Sequence, residues 1–116
     1  PFNTSTAAQA AAVAALGDPE FERRSVEHAR RWRVWLAEQL TALGLDVVPS
    51  QANFVLVGFP QTLGRSAAEA ETWLSRHGLI TRGVSNYGLP HHLRITVGLE
   101  THNRALVERL AEFLGR

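Results

Sequence analysis

Asp18-Pro19 and Gly44 bracket the longest helical pattern in the chain, and no other feature limits the fold as much. Asp18 suits an N-cap. Pro19 suits the first helical position, where the N–H that proline lacks would be unpaired anyway. Phe21, Val26, Ala29, Trp32, Trp35, Leu36, Leu40 and Leu43 recur at near-helical spacing. The spacing predicts one helix over 19–43, closed by Gly44. At about 1.5 Å per residue it spans roughly 37 Å. That is longer than a small domain needs, so the helix is expected to bridge to something else. Glu20–Arg24 and Glu27–Arg31 read as supporting (i, i+4) pairs on its polar faces.

The shorter elements follow from local signals. Thr6-Ala7-Ala8-Gln9 fits a capping box that opens an alanine-rich helix over 7–16, with Gly17 as its C′ residue. Asp46–Val48 reads as a short strand broken by Pro49. The run 53–57 is nearly continuous in apolar residues, which suits the centre of a sheet. Residues 58–64 form a loop. Ser66-Ala67-Ala68-Glu69 is a second capping box, opening a helix over 67–77 with Trp73 and Leu74 inward. After Gly78 come a strand over 79–82 with Ile80 toward the core, a loop over 83–90, a strand over 92–97 and a helix over 101–114. This order implies an α+β fold: a small, mostly antiparallel sheet of three to four strands, helices packed on one face, preceded by the long helix.

Composition removes several kinds of chemistry. The 116 residues suit one domain, and 45% hydrophobic content suffices for a modest core. All 12 basic residues are arginines. With no lysine, no imine can form through a side-chain amine. With no cysteine, thiol catalysis, disulfides and thiolate-bound zinc are excluded. A net charge of +1 carries no polyanion signal. Arg30, Arg31 and Arg33 lie beside Trp32 and Trp35 but are interleaved with glutamates, so no nucleic-acid partner is expected. His28, His77, His91, His92 and His102 lack chelating spacing, so no metal is expected. Neither a membrane span nor a signal peptide is visible, which makes a cytoplasmic location the expectation. The start at Pro1-Phe2, without a methionine, suggests a fragment or a processed chain.

Four residues are candidates for binding. Leu93, Ile95 and Val97 alternate with Arg94 and Thr96, so Arg94 is expected on the face opposite the apolar one. A planar, always-charged fork there suits a carboxylate or a phosphate. Arg82, near a strand end, reads by itself as a solvated arginine. Asn53 opens a strand, where an asparagine usually bonds backbone. Tyr87, beside Gly88, either shields the sheet edge or touches a ligand.

Taken in order, several segments carry a likeness: Pro1-Phe2-Asn3 before an Ala-Gln-Ala helix, Ala15-Leu16-Gly17-Asp18, Asn53-Phe54-Val55-Leu56-Val57, Gly78-Leu79-Ile80-Thr81-Arg82, Tyr87-Gly88-Leu89-Pro90 and Leu93-Arg94-Ile95-Thr96-Val97-Gly98. The series resembles the C-terminal portion of histidinol-phosphate aminotransferases, which are fold-type-I enzymes dependent on pyridoxal 5'-phosphate (PLP). The resemblance covers essentially the whole chain. It implies residues 1–17 as a remnant of the junction with a large PLP-binding domain, and 18–116 as the small domain. It implies that Arg94 binds substrate carboxylate or phosphate, that Arg82 assists at the phosphate, and that Asn53 borders the active site. Substrates would be histidinol phosphate and glutamate or 2-oxoglutarate, in histidine biosynthesis, and the parent enzyme would be a homodimer. The lysine that holds PLP would lie in the missing large domain. The chain alone would therefore hold no catalytic residue, bind no cofactor and be inactive. An aromatic amino-acid aminotransferase domain shares these motifs. The alternative from another class is a stand-alone anion- or protein-binding module. A domain cut from its parent is also expected to expose an apolar patch on helix 7–16 and the long helix, and to self-associate.

Overall fold

The computed structural model describes residues 3–116; Pro1 and Phe2, which open the first motif, lie outside the described residues. The elements are α1 (Thr6–Leu16), α2 (Pro19–Ala42), β1 (Asp46–Val48), β2 (Phe54–Gly58), α3 (Ala67–Arg76), β3 (Arg82–Val84), a 3-10 turn (Ser85–Tyr87), β4 (Leu89–Thr96) and α4 (Glu100–Leu114). The α+β order expected from the sequence is the one observed.

The four strands make one sheet in the order β1-β2-β4-β3, with every neighbouring pair antiparallel. Val55 lies opposite Ile95, Leu56 opposite Arg94 and Val57 opposite Leu93. Side chains alternate along a strand, so Val55, Val57, Leu93 and Ile95 share one face. That face is buried under Leu36 and Leu40 of α2, Leu74 of α3, and Leu106 and Leu110 of α4. Each fully buried leucine contributes about 1.5–3 kcal/mol. Phe54, Leu56 and Arg94 occupy the opposite face and are only half-buried.

Helix α2 packs with only part of its length. Asp18 accepts the Phe21 N–H at 3.0 Å, as an N-cap should. Gly44 closes the helix with φ +79°, a conformation a side chain would strain. Trp32, Leu36 and Leu40 are buried, but Phe21 and Val26 are 61% and 59% exposed. The apolar row therefore does not serve the core throughout, because the sheet backs only the C-terminal half. Among the ion pairs, Glu20–Arg24 forms at 3.7 Å, while Glu27 pairs with Arg23 at 2.8 Å and not with Arg31. Arg23 sits between Glu20 and Glu27, and Arg31 lies instead over the Trp32 ring at 5.5 Å.

Several boundaries differ from expectation. Ser5, not Thr6, caps α1: its Oγ accepts the Ala8 N–H at 3.2 Å, while the Gln9 side-chain amide donates to the Thr4 carbonyl. Gly17 is right-handed, at φ −80°, so it is not a left-handed stop. Residues 79–81 are not a strand, and Ile80 is 81% exposed. The chain reverses at Gly78 and reaches the sheet edge only at Arg82, while Leu79 packs against the core in place of Ile80. The stretch 83–90, expected as a loop, holds the end of β3, the 3-10 turn and the start of β4. Among the described residues, no helix is long and apolar enough to cross a membrane.

Candidate anion-binding site

Cross-strand register sets two arginines side by side. Arg82 on β3 is the direct partner of Arg94 on β4, and Arg94 is the direct partner of Leu56 on β2. Direct partners in an antiparallel pair project to the same face, so both guanidinium groups leave the sheet away from the helices. Like charges opposed in this way destabilise a sheet by a few tenths to about 1 kcal/mol unless something neutralises them. Among the described residues neither arginine has an ion-pair partner.

The surroundings shape the two groups differently. Arg94 is half-buried, its guanidinium carbon lies 5.3 Å from the Phe54 ring centroid, and its Nε is buried without an acceptor. An unmade bond of this kind costs about 1–3 kcal/mol, more for a charged group. The aromatic face steadies the fork without using any donor. Arg82 is exposed; it donates from Nη2 to the Tyr87 hydroxyl at 3.4 Å and lies 5.8 Å from that ring. Tyr87 is brought there by the 3-10 turn linking β3 to β4. Two guanidiniums without an ion-pair partner, one half-buried and one exposed, offer paired N–H donors to a carboxylate or a phosphate.

Of the four residues singled out by sequence, Arg94, Arg82 and Tyr87 gather on this face. Asn53 lies elsewhere. It precedes β2, its carbonyl accepts the Val97 N–H at 2.9 Å, and it lines a cavity of about 660 Å³ with Phe21, Val26, His28, Val97 and Leu99. Phe54 was missed by sequence reasoning. Its contact with Arg94 depends on strand register, and an apolar residue in an apolar run carries no sign of it. His28 and His77 bond the carbonyls of Gly98 and Trp73, and among the described residues no three metal-binding side chains cluster.

Comparisons with known proteins agree with this architecture. The family model for aminotransferase class I and II matches residues 1–114. The histidinol-phosphate aminotransferase 1 of Caulobacter vibrioides is 58% identical over 116 residues, covering 100% of this chain and 32% of that protein. The histidinol-phosphate aminotransferase of Maricaulis maris is 51% identical over 114 residues, covering 98% of this chain and 32% of that protein. The chain thus spans about a third of the length of these relatives. A Burkholderia pseudomallei protein, described with its crystal structure as a candidate aminotransferase, superposes on 87% of this chain and 30% of its own, with TM-score 0.77 and 32% identity. An L-threonine-O-3-phosphate decarboxylase from Porphyromonas gingivalis covers 75% of this chain and 28% of its own, with TM-score 0.60 and 29% identity. The breadth of the family match, over residues 1–114, makes this chain a member of the class I and II aminotransferases.

Proposed function

We propose that the chain is the C-terminal small domain of a histidinol-phosphate aminotransferase and that it supplies the grip on the substrate's anionic group. One observation carries this reading: Arg82 and Arg94 face each other on adjacent strands with no counter-ion among the described residues, a repulsion that a bound anion would relieve. The names of the relatives point the same way. The curated relatives act on histidinol phosphate, and the Porphyromonas neighbour is named for another phosphorylated amine. In this assignment Arg94 holds the carboxylate or phosphate and Arg82 assists from the sheet edge, with Tyr87 beside it. Asn53 lies apart from these three, and in this assignment it keeps the backbone role that its carbonyl bond to the Val97 N–H gives it.

The whole enzyme would move an amino group between glutamate and the keto form of histidinol phosphate, in the cytoplasm and as a homodimer. Enzymes of this family use PLP, whose ring serves as an electron sink. The residues of this chain do not fit that cofactor as a resident, because 116 residues include no lysine amine for its aldehyde. We assign PLP to a larger domain beyond this chain, with residues 1–17 at the junction and 18–116 as the small domain. The chain alone is then inactive. Its own contribution is orientation: a bidentate hold at one end of the substrate fixes where the reacting carbon lies.

The test is Arg94→Ala in the whole enzyme. Loss of a shielded charged contact of about 1.5–3 kcal/mol should raise KM for glutamate or histidinol phosphate roughly ten- to a hundredfold. PLP content, read from absorbance, should not change. Unchanged kinetics would remove Arg94 from the substrate. A substrate panel separates this enzyme from an aromatic amino-acid aminotransferase.

A further inference from the structure

Arg82 can serve the site only if β3 holds its register, and β3 is poorly equipped to do so. It is a three-residue edge strand, and its pairing with β4 is regular only at Arg82 and Gly83 before it shifts at Val84. Its one partner presents a like charge opposite Arg82. The outer side of an edge strand leaves backbone N–H groups without a ladder.

Helix α3 fills that gap with a single side chain. Glu71 Oε1 accepts the Gly83 N–H at 2.9 Å. The fit is close: a Cβ at residue 83 would lie 2.8 Å from Glu71 Oε2, so the carboxylate sits against the bare Cα of the glycine. Gly83 is the partner of Leu93, a buried residue on the helix-covered face. Glu71 therefore reaches the strand from the helix side, while Arg82 projects from the other. The carboxylate fixes the backbone next to Arg82 without placing a negative charge among the anion's ligands. A charge-assisted bond to backbone is among the stronger tethers available to an edge strand.

We infer that Glu71 is a positioning residue for anion binding: it clamps Gly83 and so holds Arg82 in register beside Arg94. The inference rests on the proposed anion site. Its test uses the whole enzyme, with inorganic phosphate as a competitive inhibitor against histidinol phosphate. Glu71→Ala should raise the phosphate Ki and the substrate KM about tenfold while kcat stays within about twofold. Glu71→Gln keeps an oxygen acceptor and should restore both within about twofold, which a purely electrostatic role would not allow. Glu71→Asp shortens the reach to the Gly83 N–H by one methylene and should raise Ki and KM in the same direction as Glu71→Ala; it also serves if Glu71→Ala does not fold. Unchanged Ki in folded Glu71→Ala or in Glu71→Asp, or a Glu71→Gln as impaired as Glu71→Ala, overturns the inference. Arg94→Ala run alongside separates the two claims. If it raises Ki and the Glu71 variant does not, only the clamp is wrong. If it leaves Ki unchanged, the anion site itself is wrong and the clamp falls with it.

Discussion

Single residues show the sharpest divide between what chemistry announces and what packing conceals. Arg94 was legible because a charge in the middle of an alternating apolar strand has few reasons to be there. Asn103 was not. It lies in a helical window that reads as polar surface, yet it is 2% exposed. Its side-chain oxygen accepts the Gly98 N–H and its amide donates to the Gly98 carbonyl, both at 2.9 Å. The same carbonyl accepts from His28 Nε2 at 2.9 Å, which links α2 to the turn after β4. Asn103→Ala leaves the half-buried Gly98 N–H without its partner and should cost about 1–3 kcal/mol. Urea unfolding should show a lower midpoint with an unchanged slope; no shift would mean that water replaces the side chain at little cost.

Elements were read well where their ends carry a local chemical signature. The capping box at Ser66 is complete: Glu69 accepts from the Ser66 N–H at 3.0 Å and from its hydroxyl at 2.6 Å, and from the Gly64 N–H at 3.0 Å. Ser66→Ala should destabilise α3 by about 1 kcal/mol, visible as a lower Tm. The hydrogen bond from the Ser66 hydroxyl, followed by those from the backbone N–H groups, holds the Glu69 carboxyl below its ordinary value of 4.5. A depressed folded-state value stabilises the fold above the unfolded value. That contribution drains away as pH falls through the folded one. Acid titration should therefore show stability dropping below about pH 4.5, and Glu69→Gln should flatten that limb. An unaltered acid limb in Glu69→Gln would reassign it to other carboxylates. Strand β3 was misplaced because it has no such signature. A three-residue edge strand exists only through its neighbour, and Gly83 in a sequence looks like a loop.

The whole molecule leaves one helix without support. No residue of α1 is buried, Val13 and Leu16 are 72% and 78% exposed, and Phe21 and Val26 on α2 are exposed as well. An eleven-residue helix is marginal in water without tertiary contacts. The chain in isolation should therefore self-associate through α1 and the N-terminal half of α2. Light scattering should show a mass that rises with concentration, and Leu16→Ser with Phe21→Ser should reduce it. A monomer at every concentration would leave the patch to be satisfied locally. Sequence alone determined the element order, the length of α2, the capping of α2 and α3, and the exclusion of lysine and thiol chemistry. These depend on residue type and on spacings of two to four positions, which the chain carries locally. Tertiary structure decided which half of α2 meets the sheet, that Arg82 opposes Arg94, that Phe54 steadies the fork and that Glu71 reaches Gly83. Those depend on strand register and on packing between residues far apart in sequence, and no local pattern encodes either.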